Sequence, residues 1–479
     1  MFVATCDKIR LSSADGTGKY YSDKTPLLAV AGAAIYFVLH SIGLDVREHL
    51  SIIYQLLTFF LVLLPALSIF YFLQLYYLSK TPGPNSSEAQ LWTTLAATFG
   101  TLILPYSLVF NSHVPAAAAL LGSFVLLQSG SLGIAGLLLG LGLSFDPANA
   151  FFGIGFFALC FWTYHRSYLR GVLFFGLAAA LPLAITMLIY WQVAGSWLPF
   201  QMQTANYFYP GSVQKAEYMV GAVSWRALTP SSILSFFWQG TVGFKGVFSH
   251  SLALILGFIP MIQNLKSNTK RPETLAILVP ITGLCLYFTF DAAHSYGGSC
   301  YGWRYMVPWM PLMALFSYDW FDRVGVHLWM KVVIIISVIT SSIGMQAPWL
   351  FQKWNGTDLK TFDFISAFDE HSVPESARNH FLEPFAAEIQ SLQEATDPNS
   401  QIRLAELYYQ ASLPSSALGT LQLLGEKTHT QEWHCYTAIL FSEIGVNHPD
   451  LMVRHKAMCP PDVWMNLAAK LNLKDLPPK

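Results

Sequence analysis

The sequence predicts an all-α fold: a polytopic transmembrane bundle of about ten helical spans plus one interfacial segment, with a soluble helical domain after it. Three observations carry this. Hydrophobic residues make up 53% of the 479 positions and charged residues only 11%, against roughly 25% charge in a soluble domain. Apolar runs approach the ~20 residues needed to cross a bilayer ten times over. From about residue 350 those runs stop and charge rises. The same numbers exclude a disordered chain and an ordinary cytosolic enzyme. With a net charge of −1 and no basic excess, they also exclude a nucleic-acid partner, whose binding depends on neutralising phosphates.

The ten runs fall at about 52–79, 91–110, 113–128, 131–145, 148–163, 171–194, 248–265, 274–291, 305–319 and 328–346. The run at 131–145 is glycine-rich, which suits close packing between helices. The predicted division is an outer loop with interfacial helices at 1–51, a transmembrane domain at 52–347 and a soluble, mainly helical tail at 348–479.

Lysine and arginine set the orientation. Lys80, Arg166, Arg170, Lys266, Lys270, Arg271, Arg323 and Lys331 lie in the turns 80–90, 164–170, 266–273 and 319–331, which with 128–131 are placed in the cytoplasm. The segments 111–113, 146–148, 195–247 and 292–304 are then outside, as is the tail. This makes the protein a multi-pass protein of the cell membrane. It leaves the apolar stretch 27–43 to enter and leave on one side or to lie in the interface, and it calls for a further helix upstream of Met1. Alternatively 27–43 spans fully and one other run does not.

Six cysteines form neither a CxxC pair nor a zinc-like cluster. Cys160 and Cys285 sit in apolar runs as core residues. Cys435 and Cys459 can pair if the tail faces an oxidising compartment. In the tail, 403–424 reads as two amphipathic helices flanking Leu413-Pro414, either one tetratricopeptide-type hairpin or part of a small helical domain.

Candidate chemistry gathers in the outer segments. Tyr21-Ser22-Asp23-Lys24-Thr25-Pro26 sets an acid beside a base at a membrane boundary, where ionisable groups are costly unless paired or used. Equally, Asp23 reads as a helix cap and Lys24 as a snorkelling cation. The loop from Asp291 through His294 to Trp303-Arg304-Tyr305 offers an arginine fork suited to phosphate, or else an aromatic belt with a snorkelling arginine. His113, in Asn111-Ser112-His113, can orient a hydroxyl or donate to a phosphate, or simply be satisfied by backbone. Asp146 reads as a candidate or as a cap. The loop 195–247 carries Gln201, Asn206, Tyr207, Tyr209, Lys215 and Lys245, residue types that bind sugars and also populate interfacial loops.

At these positions the chain resembles a bacterial GT-C superfamily glycosyltransferase, of the group related to protein O-mannosyltransferases and lipid A aminoarabinose transferases. Tyr21-Ser22-Asp23-Lys24-Thr25-Pro26-Leu27-Leu28 is similar to that group's "YSDKPPLLS" segment. Gly100-Thr101 through Pro105-Tyr106-Ser107 and on to His113 is similar to its "GTLLFPYS…FSH" helix end, and 135–141 to its "AGLLLGL" helix. Gly297-Gly298 followed by Tyr301-Gly302-Trp303-Arg304-Tyr305-Met306-Val307-Pro308 is similar to its "GG…WGPRYLVP" motif. The likeness covers about residues 15–320.

The resemblance implies a polyprenyl-phosphate-linked sugar as donor, transferred to an unidentified acceptor on the outer face of the membrane. It implies Asp7 or Asp23 as the catalytic acid or base, and Tyr21, Lys24, His113, His294, Trp303, Arg304 and Tyr305 as substrate-binding residues. It implies no fixed metal site and leaves a divalent cation open. Departures are Thr25 in place of a proline, Asp146 where a basic residue is usual, and a sequence that begins after the family's first helix, a truncation that would leave the enzyme inactive if the catalytic position is lost with it. Two other classes remain as alternatives, a transporter or flippase of lipid-linked glycans and a non-catalytic membrane scaffold. Intramembrane charges and repeated halves would mark the transporter.

Overall fold

The computed structural model describes residues 8–12, 18–22, 24–166, 168–200, 203, 230–243, 245–290, 300–345, 348, 386–393, 397–410, 420–421, 433–437, 459–460 and 462–463. Helix dominates them. One departure from the all-α expectation is an antiparallel pair, β1 (Lys8–Ser12) and β2 (Gly18–Ser22), with Lys8 opposite Ser22 and Ser12 opposite Gly18.

Helix α1 (Pro26–Ser41) follows, with Pro26 in the first turn, where a missing N–H costs nothing. It folds back on α2 (Val46–Thr58), so that Gly32 faces Leu57 and Leu61. The apolar stretch at 27–43 is therefore one arm of a helical hairpin. A π-helical turn at Phe59–Leu63 leads from α2 into α3 (Leu64–Leu78).

The chain continues through α4 (Ser86–Thr98), α5 (Ile103–Tyr106), α6 (His113–Gln128), α7 (Leu132–Phe145), α8 (Ala150–Tyr164) and α9 (Leu169–Ala194). Next come α10 (Pro230–Thr241), α11 (Val247–His250), α12 (Leu254–Asn264) and α13 (Arg271–Phe290). A 3-10 segment at Arg304–Trp309 leads to α14 (Met310–Leu315), α15 (Ser317–Val324) and α16 (Leu328–Ile343). In the tail lie α17 (Ala386–Gln393) and α18 (Pro398–Gln410).

Among the described residues, three helices are long and apolar enough to cross a membrane: Glu48–Leu78, Leu169–Ala194 and Arg271–Thr289. The other apolar helices are shorter. The 16-residue α6 extends about 24 Å at 1.5 Å per residue, less than the ~30 Å hydrocarbon core. Three expected runs are also interrupted. The run 91–110 breaks between Thr98 and Ile103, 248–265 breaks at Ser251, and 305–319 becomes a 3-10 segment and two short helices. In the last case Pro308 and Pro311 lack the N–H groups that one continuous helix would use.

Helix α6 is the centre of the bundle. Its residues from His113 to Val125 are all buried, because α3, α7, α14 and the 3-10 segment surround it. Helices α7 and α9 pack closely: a Cβ added at Gly136 would lie 2.2 Å from the Phe175 carbonyl oxygen. The outward side of α9 exposes Leu173, Phe174, Leu177 and Leu181, an apolar surface suited to lipid. Buried hydroxyls also join helices. Ser337 Oγ donates to the Gly100 carbonyl (2.7 Å) and accepts from the Ala253 amide (3.0 Å), tying α16 to the residues before α5 and α12.

One end of the bundle collects the turns rich in lysine and arginine. Lys80 Nζ donates to Gln128 Oε1 (3.4 Å), and the Tyr164 hydroxyl donates to the Leu127 carbonyl (2.8 Å). Lys331 pairs with Glu88 and Lys270 with Asp319, each at 2.5 Å. Asp322 Oδ2 accepts from the Gly83 amide (3.0 Å). Since α6 starts at His113 and finishes at Gln128, and α7 runs back from Leu132 to Phe145, His113 and Phe145 lie at the opposite end.

In the tail, Ile389, Leu404 and Leu407 form the contact between α17 and α18. Arg403 bridges Glu388 (2.8 Å) and the buried Glu406 (3.0 Å). Cys435 and Cys459 form a disulfide. The expected helix pair around Leu413-Pro414 is described only in its first member, which pairs with α17, and at Thr420–Leu421. Residues 411–419 lie outside the described residues.

Candidate functional site

The site is assembled at the end of the bundle remote from the basic turns. Its floor is the turn before α6. Asn111 Oδ1 accepts from the amides of His113 (2.9 Å) and Val114 (3.0 Å), while its Nδ2 donates to the carbonyls of Tyr106 (2.6 Å) and Val109 (2.7 Å). One buried amide side chain thus satisfies two open N–H groups of the helix start and two carbonyls of the preceding turn. It leaves the His113 side chain directed to its neighbour.

That neighbour is Asp146. His113 Nδ1 lies 2.8 Å from Asp146 Oδ2, and both residues are buried, 7% and 6% exposed. The other carboxylate oxygen, Oδ1, accepts from the Ala148 amide (3.2 Å) and caps the 3-10 turn Pro147–Asn149. Asp146 is therefore a cap and a histidine partner at once. His113 is satisfied by a carboxylate and not by backbone carbonyls.

The 3-10 segment supplies an aromatic wall. The rings of His113 and Tyr305 meet edge to face at 5.7 Å, and Tyr305 stacks on Phe288 at 4.7 Å with 8° between planes. Trp303 is buried and packs edge-on against Phe236 (5.5 Å) and Phe288 (5.9 Å). The Arg304 guanidinium lies 5.3 Å from the centre of the Tyr305 ring. Gly302 makes the turn into this segment with φ +67, and a Cβ there would meet Leu102 and the His250 ring.

The strand-to-helix link lies against the same place. Thr25 Oγ1 donates to the Phe145 carbonyl at 2.8 Å, which brings the residues preceding α1 against the end of α7 beside Asp146. Both Lys24 and Arg304 lie within electrostatic range of the His113 imidazole. Lys24, His113, Arg304 and Tyr305 are thus brought to one place, with Trp303 in the wall behind. Tyr21 points elsewhere, half-buried against Tyr190 and Phe200 at the end of α9. Asp7, Asp23 and His294 lie outside the described residues, as do Gln201, Asn206, Tyr207, Tyr209 and Lys215.

A second polar layer lies behind Arg304. Lys245, buried, donates to the Cys300 carbonyl, and the Tyr106 hydroxyl donates to the Tyr301 carbonyl at 2.9 Å. His250 Nδ1 is 2.8 Å from the Gly246 carbonyl, with its ring 4.6 Å from that of Tyr301. Arg304 lies within electrostatic range of Tyr106 and Cys300. The sequence assigned no role to His250, Tyr106 or Tyr301, and placed Lys245 in the outer loop 195–247 among residue types that bind sugars or populate interfacial loops. The helix limits around 248–265 were the available signal, since they put His250 and Lys245 at the mouth of a span.

Among the described residues no three His, Cys, Asp or Glu side chains come together as a metal site. No protein-family model matches the chain, and neither a curated protein nor a solved structure does.

Proposed function

We propose that this protein is a multi-pass membrane glycosyltransferase that moves a sugar from a polyprenyl-phosphate donor to an acceptor hydroxyl on the non-cytoplasmic side. The supporting observation is the meeting of Lys24, His113, Asp146, Arg304 and Tyr305 at one end of an apolar helical bundle. These residues come from four separate segments of the chain, and four of them sit in the motifs that resemble the GT-C group.

In this reaction the acceptor oxygen attacks the anomeric carbon, and the bond from that carbon to the phosphate oxygen breaks. Negative charge then builds on the lipid phosphate. Arg304 and Lys24 are the cations suited to neutralise it, Arg304 through a rigid two-pronged donor set. The Tyr305–Phe288 stack gives the site a flat apolar wall of the kind that accepts a sugar face or the first prenyl unit. Asp23, next to Lys24 in sequence, and Asp7 are the carboxylates for orienting the acceptor.

The orientation proposed is the one that puts the basic turns in the cytoplasm. The lysine- and arginine-bearing turns sit together at the end remote from His113, as the positive-inside rule requires of a single cytoplasmic face. The Cys435–Cys459 disulfide suits a tail on the same side as the site, outside the reducing cytosol. In this arrangement the shorter apolar helices complete about ten spans, with α1 as the interfacial arm.

The test is reconstitution of the full chain in liposomes that carry radiolabelled polyprenyl-phosphate hexose or pentose. Wild-type protein is expected to discharge one of these donors, and Arg304→Ala to lose that activity while inserting normally. Equal discharge by the Arg304→Ala protein removes the site assignment.

A further inference from the structure

The two ring nitrogens of His113 stand in different surroundings. Nδ1 faces Asp146 Oδ2 at 2.8 Å. Nε2 makes no hydrogen bond among the described residues, so Nδ1 alone is engaged by a carboxylate. A carboxylate can only accept, so the proton on Nδ1 belongs to the contact with Asp146. A neutral His113 then presents a lone pair at Nε2. A lone pair is repelled by phosphate oxygens and is suited to receive a hydroxyl proton. Lys24 and Arg304, the two basic side chains near the ring, already supply what a phosphate needs.

We propose that His113 accepts the proton of the acceptor hydroxyl at Nε2, with Asp146 as the positioning residue that holds the ring in the Nδ1–H form. The proposal rests on the transfer reading above and deepens it. As the hydroxyl O–H bond breaks, its proton goes to Nε2 and its electron pair forms the new bond to the anomeric carbon. The bond from that carbon to the phosphate oxygen breaks in the same step, and its electron pair leaves on the lipid phosphate. The imidazolium so formed is stabilised by Asp146 and returns its proton to water. This is the carboxylate–histidine arrangement by which a buried acid fixes one tautomer and supports the transient positive charge.

Among the described residues, the charged and titratable groups near the ring come from three elements. Asp146 comes from the end of α7, Arg304 and Tyr305 from the 3-10 segment, and Lys24 from the link before α1. Asp146 is held in turn by the Ala148 amide. Replacement by asparagine keeps an acceptor for that amide and puts an NH2 against Nδ1, which reverses the tautomer while retaining the cap.

The experiment has two readouts on the full chain in lipid nanodiscs. The first is 15N NMR of histidine-labelled protein at neutral pH, with His113 identified by its loss in His113→Gln. The expected result is a proton on Nδ1 in the wild type and on Nε2 in Asp146→Asn. A wild-type signal with the proton on Nε2 overturns the proposal. The second is transfer from the polyprenyl-phosphate donor that the wild type discharges. His113→Gln is expected to lower kcat by roughly 100-fold or more, the usual scale for a positioned base, with donor KM unchanged. Asp146→Asn is expected to lower kcat and to move the acid limb of the pH profile to lower pH, since the carboxylate that favours the imidazolium is gone. Arg304→Lys is expected to raise donor KM instead. If His113→Gln raises donor KM and spares kcat, His113 is a phosphate ligand and the proposal fails while the transfer reading stands. If the wild type discharges no donor, the transfer reading fails, and the NMR tautomer still decides whether Asp146 sets the ring.

Discussion

Gly136 and Phe175 meet backbone to backbone, with 2.2 Å between the place a Cβ would occupy on Gly136 and the carbonyl oxygen of Phe175. A carbonyl on a helix cannot rotate away as a flexible side chain can, so even a methyl group must push α7 and α9 apart. Overpacking of this kind costs about 1–3 kcal/mol. Gly136→Ala is expected to lower the thermal midpoint of the detergent-solubilised protein by several degrees, and Gly136→Leu to abolish its monodisperse peak in size-exclusion chromatography. Gly176→Ala is the control: its Cβ would meet only a Phe157 side-chain atom at 3.3 Å. Matching midpoints for the wild type and both alanine variants contradict the packing account.

The two ends of the bundle can be told apart by chemistry applied from one side of the membrane. Ser41 lies at the exposed tip of α1, and Asn268 lies in the exposed turn between α12 and α13, which joins Lys270 to Asp319. In a background freed of accessible native thiols, Ser41→Cys is expected to react with a membrane-impermeant maleimide added to intact cells. Asn268→Cys is expected to react only after the cells are opened. The opposite pattern inverts the sidedness and, with it, the compartment of the transfer reaction.

How much of this was legible in the sequence depends on the range of the interaction. Unbroken apolar runs put a helix at 113–128 and another at 131–145, and the structure has His113–Gln128 and Leu132–Phe145. The interruption near 308–311 was written in two prolines but hidden by the hydropathy of the run. The β-pair was missed, although Asp15-Gly16 between two short polar–apolar stretches is a hairpin signal. The histidine–aspartate contact was not legible. His113 and Asp146 are 33 residues apart, and each read singly as a boundary residue with its own local explanation. Only the antiparallel return of α7 beside α6 brings them together. Lys245 read only as one of several sugar-binding or interfacial residue types in the loop 195–247 for the same reason, because its acceptor is the carbonyl of Cys300, 55 residues further along.

The tail disulfide offers a test of compartment and of stability together. Cys435 and Cys459 close a loop with a sequence separation of 24, and a bridge of that span is worth about 3 kcal/mol in the chain-entropy account. Protein purified without reductant is expected to leave these two thiols unreactive to maleimide until it is reduced. Cys435→Ser is expected to speed proteolysis between 386 and 463 without changing cleavage elsewhere. Free thiols at both positions in protein taken straight from cells place the tail in a reducing compartment, against the proposed topology.

Asp397 makes the acid sensitivity of the tail predictable in sign. Its Oδ1 accepts from the Ser400 amide at 3.0 Å, capping α18, and hydrogen bonds from the Ser400 side chain and amide hold the carboxyl below its ordinary range. A carboxyl lowered in the folded state stabilises that state above the unfolded carboxyl pKa, near 4. The contribution disappears as pH falls through the lower folded value. Hydrogen exchange along 398–410 in the full chain is therefore expected to be unaffected by Asp397 between pH 5 and 8 and to accelerate below pH 4, after correction for the intrinsic rate. Asp397→Asn retains an acceptor that does not titrate, so its corrected profile is expected to stay flat through the same window. Asp397→Ala is expected to exchange faster than the wild type between pH 5 and 8, with the difference narrowing below pH 4. An acid-induced acceleration as large in Asp397→Asn as in the wild type assigns it to other carboxyls, with Glu388 and the buried Glu406 on Arg403 the first to examine.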